Sequence, residues 1–152
     1  MNVFDVDVEA TVHVLTYDSS ETLGYEEIEY LFRDENKIYF SLLIHVKQTK
    51  PTTQGTIQVF LVHILNDGSN GRQKYTKLPI GEISLCCTDT GNSADSYATL
   101  RSDQWNSRQT YRWNVRDVPT QGCGSYAVVL LAGHDSIIKQ GKILDCAYFK
   151  VI

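Results

Sequence analysis

The chain has 152 residues, 42% of them hydrophobic, with only three prolines and no biased tract, which allows one domain with a real core and argues against disorder. Its net charge of −4 argues against a nucleic-acid partner and against an anionic membrane surface, since both need a basic face. The acidic start (Asp5, Asp7, Glu9) lacks a basic-then-apolar leader, and the longest apolar stretch, Tyr126 to Ala132, is too short to span a bilayer, so a cytoplasmic chain is expected.

The first segment sets the fold class. Phe4, Val6, Val8, Ala10, Val12 and Val14 alternate with Asp5, Asp7, Glu9, Thr11 and His13, the period of a strand with one buried and one wet face. Turn residues Asp18 to Gly24 follow. Glu26 to Arg33 reads as a strand through Ile28, Tyr30 and Phe32, and Asp34-Glu35-Asn36 turns it into Lys37–Lys47. There Ile38, Phe40, Leu42, Ile44 and Val46 share one side. A polar loop over 48–55 leads to Thr56–Leu65, and Asn66 to Gly71 is the strongest turn signal in the chain.

Arg72–Leu78 and Ile80–Thr88 read as two short strands broken at Pro79, which suits a sheet edge. Asp89 to Arg108 is mostly polar loop, with a short strand near Tyr97–Leu100. Thr110–Val115, Ser125–Ala132 and Ile143–Val151 complete a set of about eight to ten strands without a credible helix. The expected fold is one all-β domain over residues 1–152, a two-layer antiparallel sandwich, immunoglobulin-like or jelly-roll-like. The glycine-rich turn before Tyr126-Ala-Val-Val-Leu-Leu and the last strand closing on Phe149 resemble an immunoglobulin-like ending, over about a third of the chain.

Catalytic and metal motifs fail on context, so no enzyme activity and no cofactor are expected. Asp89-Thr90-Gly91 resembles the aspartic-protease triplet, but Cys86-Cys87-Thr88 replaces the bulky apolar residues before it and Asn92 follows the glycine. Gly122-Cys123-Gly124-Ser125 resembles a papain-type nucleophile segment, yet a β-branched run follows where that chemistry needs a helix. His13, His45, His63 and His134 are scattered, with no Cys-x-x-Cys. His63 shares the side of Ile57, Val59 and Leu61 and should face the core. The four cysteines (86, 87, 123, 146) read as reduced thiols in or near the core; a Cys123–Cys146 bridge is the alternative in an oxidising compartment.

Two features point to binding. Residues 101–116 hold four of the six arginines (Arg101, Arg108, Arg112, Arg116) and both tryptophans. On a strand Tyr111, Trp113 and Val115 would face in and Arg112 out, while Trp105 lies among polar loop residues. A flat indole beside hydrogen-bonding side chains suits a sugar, so Trp105 with Arg101, Arg108 and Arg112 is a candidate carbohydrate surface. The second feature is surplus hydrophobicity. Tyr39 and Leu43 lie opposite the core side of their strand, and Phe60, Val62 and Ile64 opposite the core side of theirs. If these strands form a hairpin, the five merge into one patch that another molecule would cover. The leading expectation is therefore a non-enzymatic module that assembles with itself or a protein partner; carbohydrate binding is the alternative.

Overall fold

Alternating segments become strands because only that spacing sends every second side chain to a common interior. The computed structural model describes residues 8–17, 26–48, 55–66, 73–85, 90–94, 98–100, 110–119, 122–133 and 142–152. They form β1 (Val8–Leu15), β2 (Tyr30–Leu31), β3 (Lys37–Gln48), β4 (Gly55–Asn66), β5 (Gln73–Leu85), β6 (Thr90–Ala94), β7 (Ala98–Leu100), β8 (Thr110–Pro119), β9 (Gly124–Gly133) and β10 (Lys142–Val151). The sheets are β1-β3-β8-β7 and β2-β10-β9-β4-β5-β6. The all-β sandwich expected from the sequence is the fold observed. Pairing is antiparallel except where β2 joins β10 in parallel.

The core lies between the sheets. Val12 and Val14, Ile38 through Val46 at even positions, Tyr111, Trp113 and Val115 come from the four-stranded sheet. Ile57, Val59, Leu61, Ile83, Tyr126, Val128, Leu130 and Phe149 meet them from the other. Asp145 ties the outer edge of β1 to the six-stranded sheet: the Val12 amide donates to its Oδ2 at 2.8 Å. A bulge makes this contact. The β9–β10 register shifts between Ile143 and Asp145, which leaves Ile143 outward and turns Asp145 toward β1.

Several expected elements differ. β3 and β4 do not form a hairpin; they lie in different sheets. Pro79 does not split a strand. It sits at a bulge in continuous β5, opposite the Val59/Phe60 register shift, and the missing amide is accommodated there. Only the Gly81–Leu85 half of β5 pairs with β6, so among the described residues the half containing Pro79 is an edge. β6 was not expected in the polar stretch, and it carries Thr90 and Gly91 of the protease-like triplet as ladder residues. The Glu26–Arg33 strand shrinks to Tyr30–Leu31. The turn after it is as sharp as expected: Asp34 and Lys37 exchange backbone hydrogen bonds of 2.8 and 2.9 Å. Glu35 (φ 50°) and Asn36 (φ 69°) both take the left-handed conformation, which makes this a type I′ turn.

Candidate functional site

The outer face of the six-stranded sheet is apolar. Backbone register arranges its side chains in rows running across the strands. Tyr148, Ala127, Val62 and Lys77 make one row, and Cys146, Val129, Phe60 and Pro79 the next. Ile64 lies between Ser125 and Tyr75 on one side of these rows, and Leu131 pairs with Ile143 on the other. Polar residues would normally occupy such positions, because one face of an antiparallel sheet meets water. Tyr75, Ile143 and Tyr148 are 60%, 58% and 67% exposed. Together these side chains line a shallow trough of about 340 Å³ with Ala127 on its floor. At one rim the Lys77 ammonium lies 5.8 Å from the Phe60 ring centre. The apolar surface continues to Tyr30, which pairs with Lys150 at the sheet edge and is exposed.

Phe60, Val62 and Ile64 thus share a face, as their strand pattern implies, but Tyr39 and Leu43 do not join them. Those two belong to β3, on the outer side of the other sheet, so the merged patch is corrected: a hairpin was assumed where the chain crosses between layers. Leu43 is buried there opposite Arg112, and Tyr39 stands edge-on to Tyr17 at 5.8 Å. The larger part of the face was missed. Its signal lay in the unbroken apolar run Tyr126–Ala132, where Ala127, Val129 and Leu131 alternate with the core residues Val128 and Leu130.

The carbohydrate candidates fare differently. Trp105, Arg101 and Arg108 lie outside the described residues. Arg112 was expected to face solvent; it is fully buried, with Ser41 and Asn114 also buried on the same face and hydrogen-bonded at 2.8 Å. Alternation assigns a residue to a face but does not reveal whether that face is covered. Trp113 is buried as expected.

His63 faces the core, 6% exposed, stacked on Tyr126 with ring centres 4.2 Å apart. Tyr126 in turn donates its hydroxyl to the Gly122 carbonyl at 2.8 Å. Gly122 (φ 128°) and Gly124 (φ 136°) give this corner a backbone that other residues rarely adopt. His13 and His45, far apart in sequence, meet with ring centres 6.3 Å apart; Glu27 hydrogen-bonds His13 and Thr110 hydrogen-bonds His45. Among the described residues no group of three or more His, Cys, Asp or Glu is placed to hold a metal ion. Cys123 and Cys146 are both free thiols, and Cys123 is exposed rather than near the core. Cys86 and Cys87 lie outside the described residues. Burial raises the Cys146 thiol above its ordinary value, a hydrogen bond with Tyr148 lowers it, and the Asp145 charge adds a smaller upward push. No described helix is long and apolar enough to cross a membrane.

No protein-family model and no curated protein matches the chain. Among solved structures it is similar to a β-glucosidase from Kluyveromyces marxianus, at 14% identity and a TM-score of 0.40. That match covers 95% of this chain and 14% of the β-glucosidase, so the chain spans about a seventh of that protein's length.

Proposed function

We propose that the chain is a non-enzymatic assembly module that pairs with a second copy of itself through the outer face of its six-stranded sheet. The observation that carries this reading is the contiguous apolar surface from exposed Tyr148 and Ile143 across half-buried Val129, Phe60 and Val62 to exposed Tyr75. The size suits it. Strands β10, β9, β4 and β5, about 4.8 Å apart and about ten residues long, outline roughly 19 by 33 Å; side-chain relief brings this near the ~800 Å² per partner of a stable interface. A two-fold axis buries both copies of such a face at once, and twisted sheets pack face to face readily. Each large side chain so covered contributes about 1.5–3 kcal/mol, against about 4–15 kcal/mol lost in rigid-body freedom, so several must be covered together. A cytoplasmic setting belongs to the same reading and is supported by the free thiols of Cys123 and Cys146.

Sedimentation equilibrium of the wild type, Phe60→Glu and Tyr148→Glu tests the proposal. The wild type should be dimeric at micromolar concentration and both variants monomeric. Tyr148 is a largely exposed rim residue, so its variant separates lost assembly from lost folding. A monomeric wild type throughout the micromolar range overturns the reading. The carbohydrate alternative rests on Trp105, Arg101 and Arg108 without Arg112, and quenching of Trp105 fluorescence by a glycan panel tests it.

A further inference from the structure

On the basis of the face-to-face assembly above, we propose that Tyr148 of each copy fills the hollow over Ala127 of the other, so that the trough is complete only in the pair. The two-fold axis then runs along the strands, between β10 and β9. Rotation about such a line keeps every residue's height along the strands and lays β10 of one copy on β9 of its partner. Tyr148 is 67% exposed and Ala127 3%, so one row holds a standing ring and the floor of the hollow side by side. The hollow, about 340 Å³, has room for a phenol ring, since a cavity of about 150 Å³ holds one benzene. Packed sheets lie about 10 Å apart, close enough for a tyrosine of one to reach the floor of the other.

Side-chain size along the two strands selects this axis. Register sets Lys150, Tyr148, Cys146 and Ile143 of β10 beside Ser125, Ala127, Val129 and Leu131 of β9, one pair to a row. The β9 side chains grow along that series, from Ser125 to Leu131, while those of β10 shrink from Lys150 and Tyr148 to Cys146. Each copy therefore holds tall residues beside its own short ones, and the rotation sets them on the partner's short ones. Tyr148 comes to lie over the partner's Ala127, Lys150 over the partner's Ser125 and Cys146 over the partner's Val129. At the bulge end, Ile143 meets the partner's Leu131, aliphatic on aliphatic. The same axis lays β2 on the partner's β4 and brings exposed Tyr30 over the partner's Ile64, the two residues sharing a row through Lys150 and Ser125. A two-fold running across the strands, between the Ala127 and Val129 rows, would set Ala127 on the partner's Val129. It would also leave Tyr30 facing no described strand, since β2 has only two residues.

Two single variants test the arrangement by pairing with each other. Ala127→Tyr fills the hollow and Tyr148→Ala removes the ring that enters it. Each alone should dimerise at least about tenfold more weakly than the wild type. Mixed, they should form a heterodimer within about threefold of wild-type affinity. There the added ring meets the shortened side chain, and the other Tyr148–Ala127 contact is intact. Fluorescence-detected sedimentation with one variant labelled at its amino terminus measures the affinities, and circular dichroism shows that each variant folds. Ala127→Leu replaces Ala127→Tyr if the larger side chain prevents folding. A dimeric wild type whose variants show no preference for each other overturns the arrangement and leaves assembly through this face standing. Dimerisation of both single variants at wild-type strength overturns it as well. A monomeric wild type removes the arrangement and the assembly together.

Discussion

Replacing Asp145 with alanine removes a side-chain bond that ties the outer edge of β1 to the facing sheet. Val12 pairs with Ile44 of β3 on one side, and its amide is directed to Asp145 Oδ2 on the other. A hydrogen bond to a charged acceptor contributes about 1.5–3 kcal/mol. Asp145 is only half-buried, so water screens the bond and can hydrate the abandoned amide. These effects place the expected loss near the lower end, about 1.5 kcal/mol. Asp145→Asn keeps an oxygen acceptor without the charge and should lose about half as much, since charge-assisted bonds are roughly twice as strong as neutral ones. Urea unfolding of the two variants measures both losses. Amide hydrogen exchange locates them: Val12 should exchange faster in Asp145→Ala, ahead of its neighbours on β1. An alanine variant within about 0.5 kcal/mol of wild type, with Val12 exchange unchanged, would refute the reasoning.

Gly122→Ala should destabilise by about 1–3 kcal/mol through backbone strain alone. The added methyl meets nothing within 4 Å, so urea unfolding of this variant reads the strain at φ 128° without a clash. Iodoacetamide should label exposed Cys123 well before Cys146, whose thiol is raised chiefly by burial. Native Cys146 holds its proton more tightly than the unfolded chain does. The stability this adds is complete below the unfolded thiol pKa and is lost as pH rises through the folded one. Asp145→Asn, by removing a nearby negative charge, should speed Cys146 labelling. Trp113→Phe should cost no more than about 2 kcal/mol in urea unfolding, because the buried indole nitrogen has no hydrogen-bond partner to lose.

The buried side of each long strand was legible because burial on one face writes a period of two into the residues. Val12 and Val14, Ile38 to Val46 and Ile57 to Leu61 all face the core as their alternation implies. Strand neighbours were not legible. Alternation is the same whichever strand lies alongside, so β3 and β4, adjacent in the chain, looked like a hairpin although they pair with β8 and β9. Bulges hide in the same way. Ile143 reads as a core position until the extra residue Leu144 reverses the phase and leaves it 58% exposed. Arg112 shows the opposite failure, since a charged residue on the outer side of a strand carries no mark of what will lie over it. The candidate face was therefore half visible, through Phe60, Val62 and Ile64, and its other half came from strands that only the fold brings alongside.

The strand order also sets a sequence of events in time. The pairs β4–β5, β5–β6, β7–β8 and β9–β10 join strands that follow one another in the chain, whereas β3–β8 and β4–β9 must reach across it. Short loops close at lower entropic cost than long ones, so these hairpins should form before either sheet is complete. During that interval the hairpins are uncovered on both sides: their future core faces await a partner sheet, and the outer faces of β4, β9 and β10 carry Phe60, Val129 and Tyr148. Dilution therefore matters more during refolding than in the native state. Recovery after denaturant removal should fall as protein concentration rises, and early-emerging hairpins would gain most from a chaperone that shields apolar sheet surface.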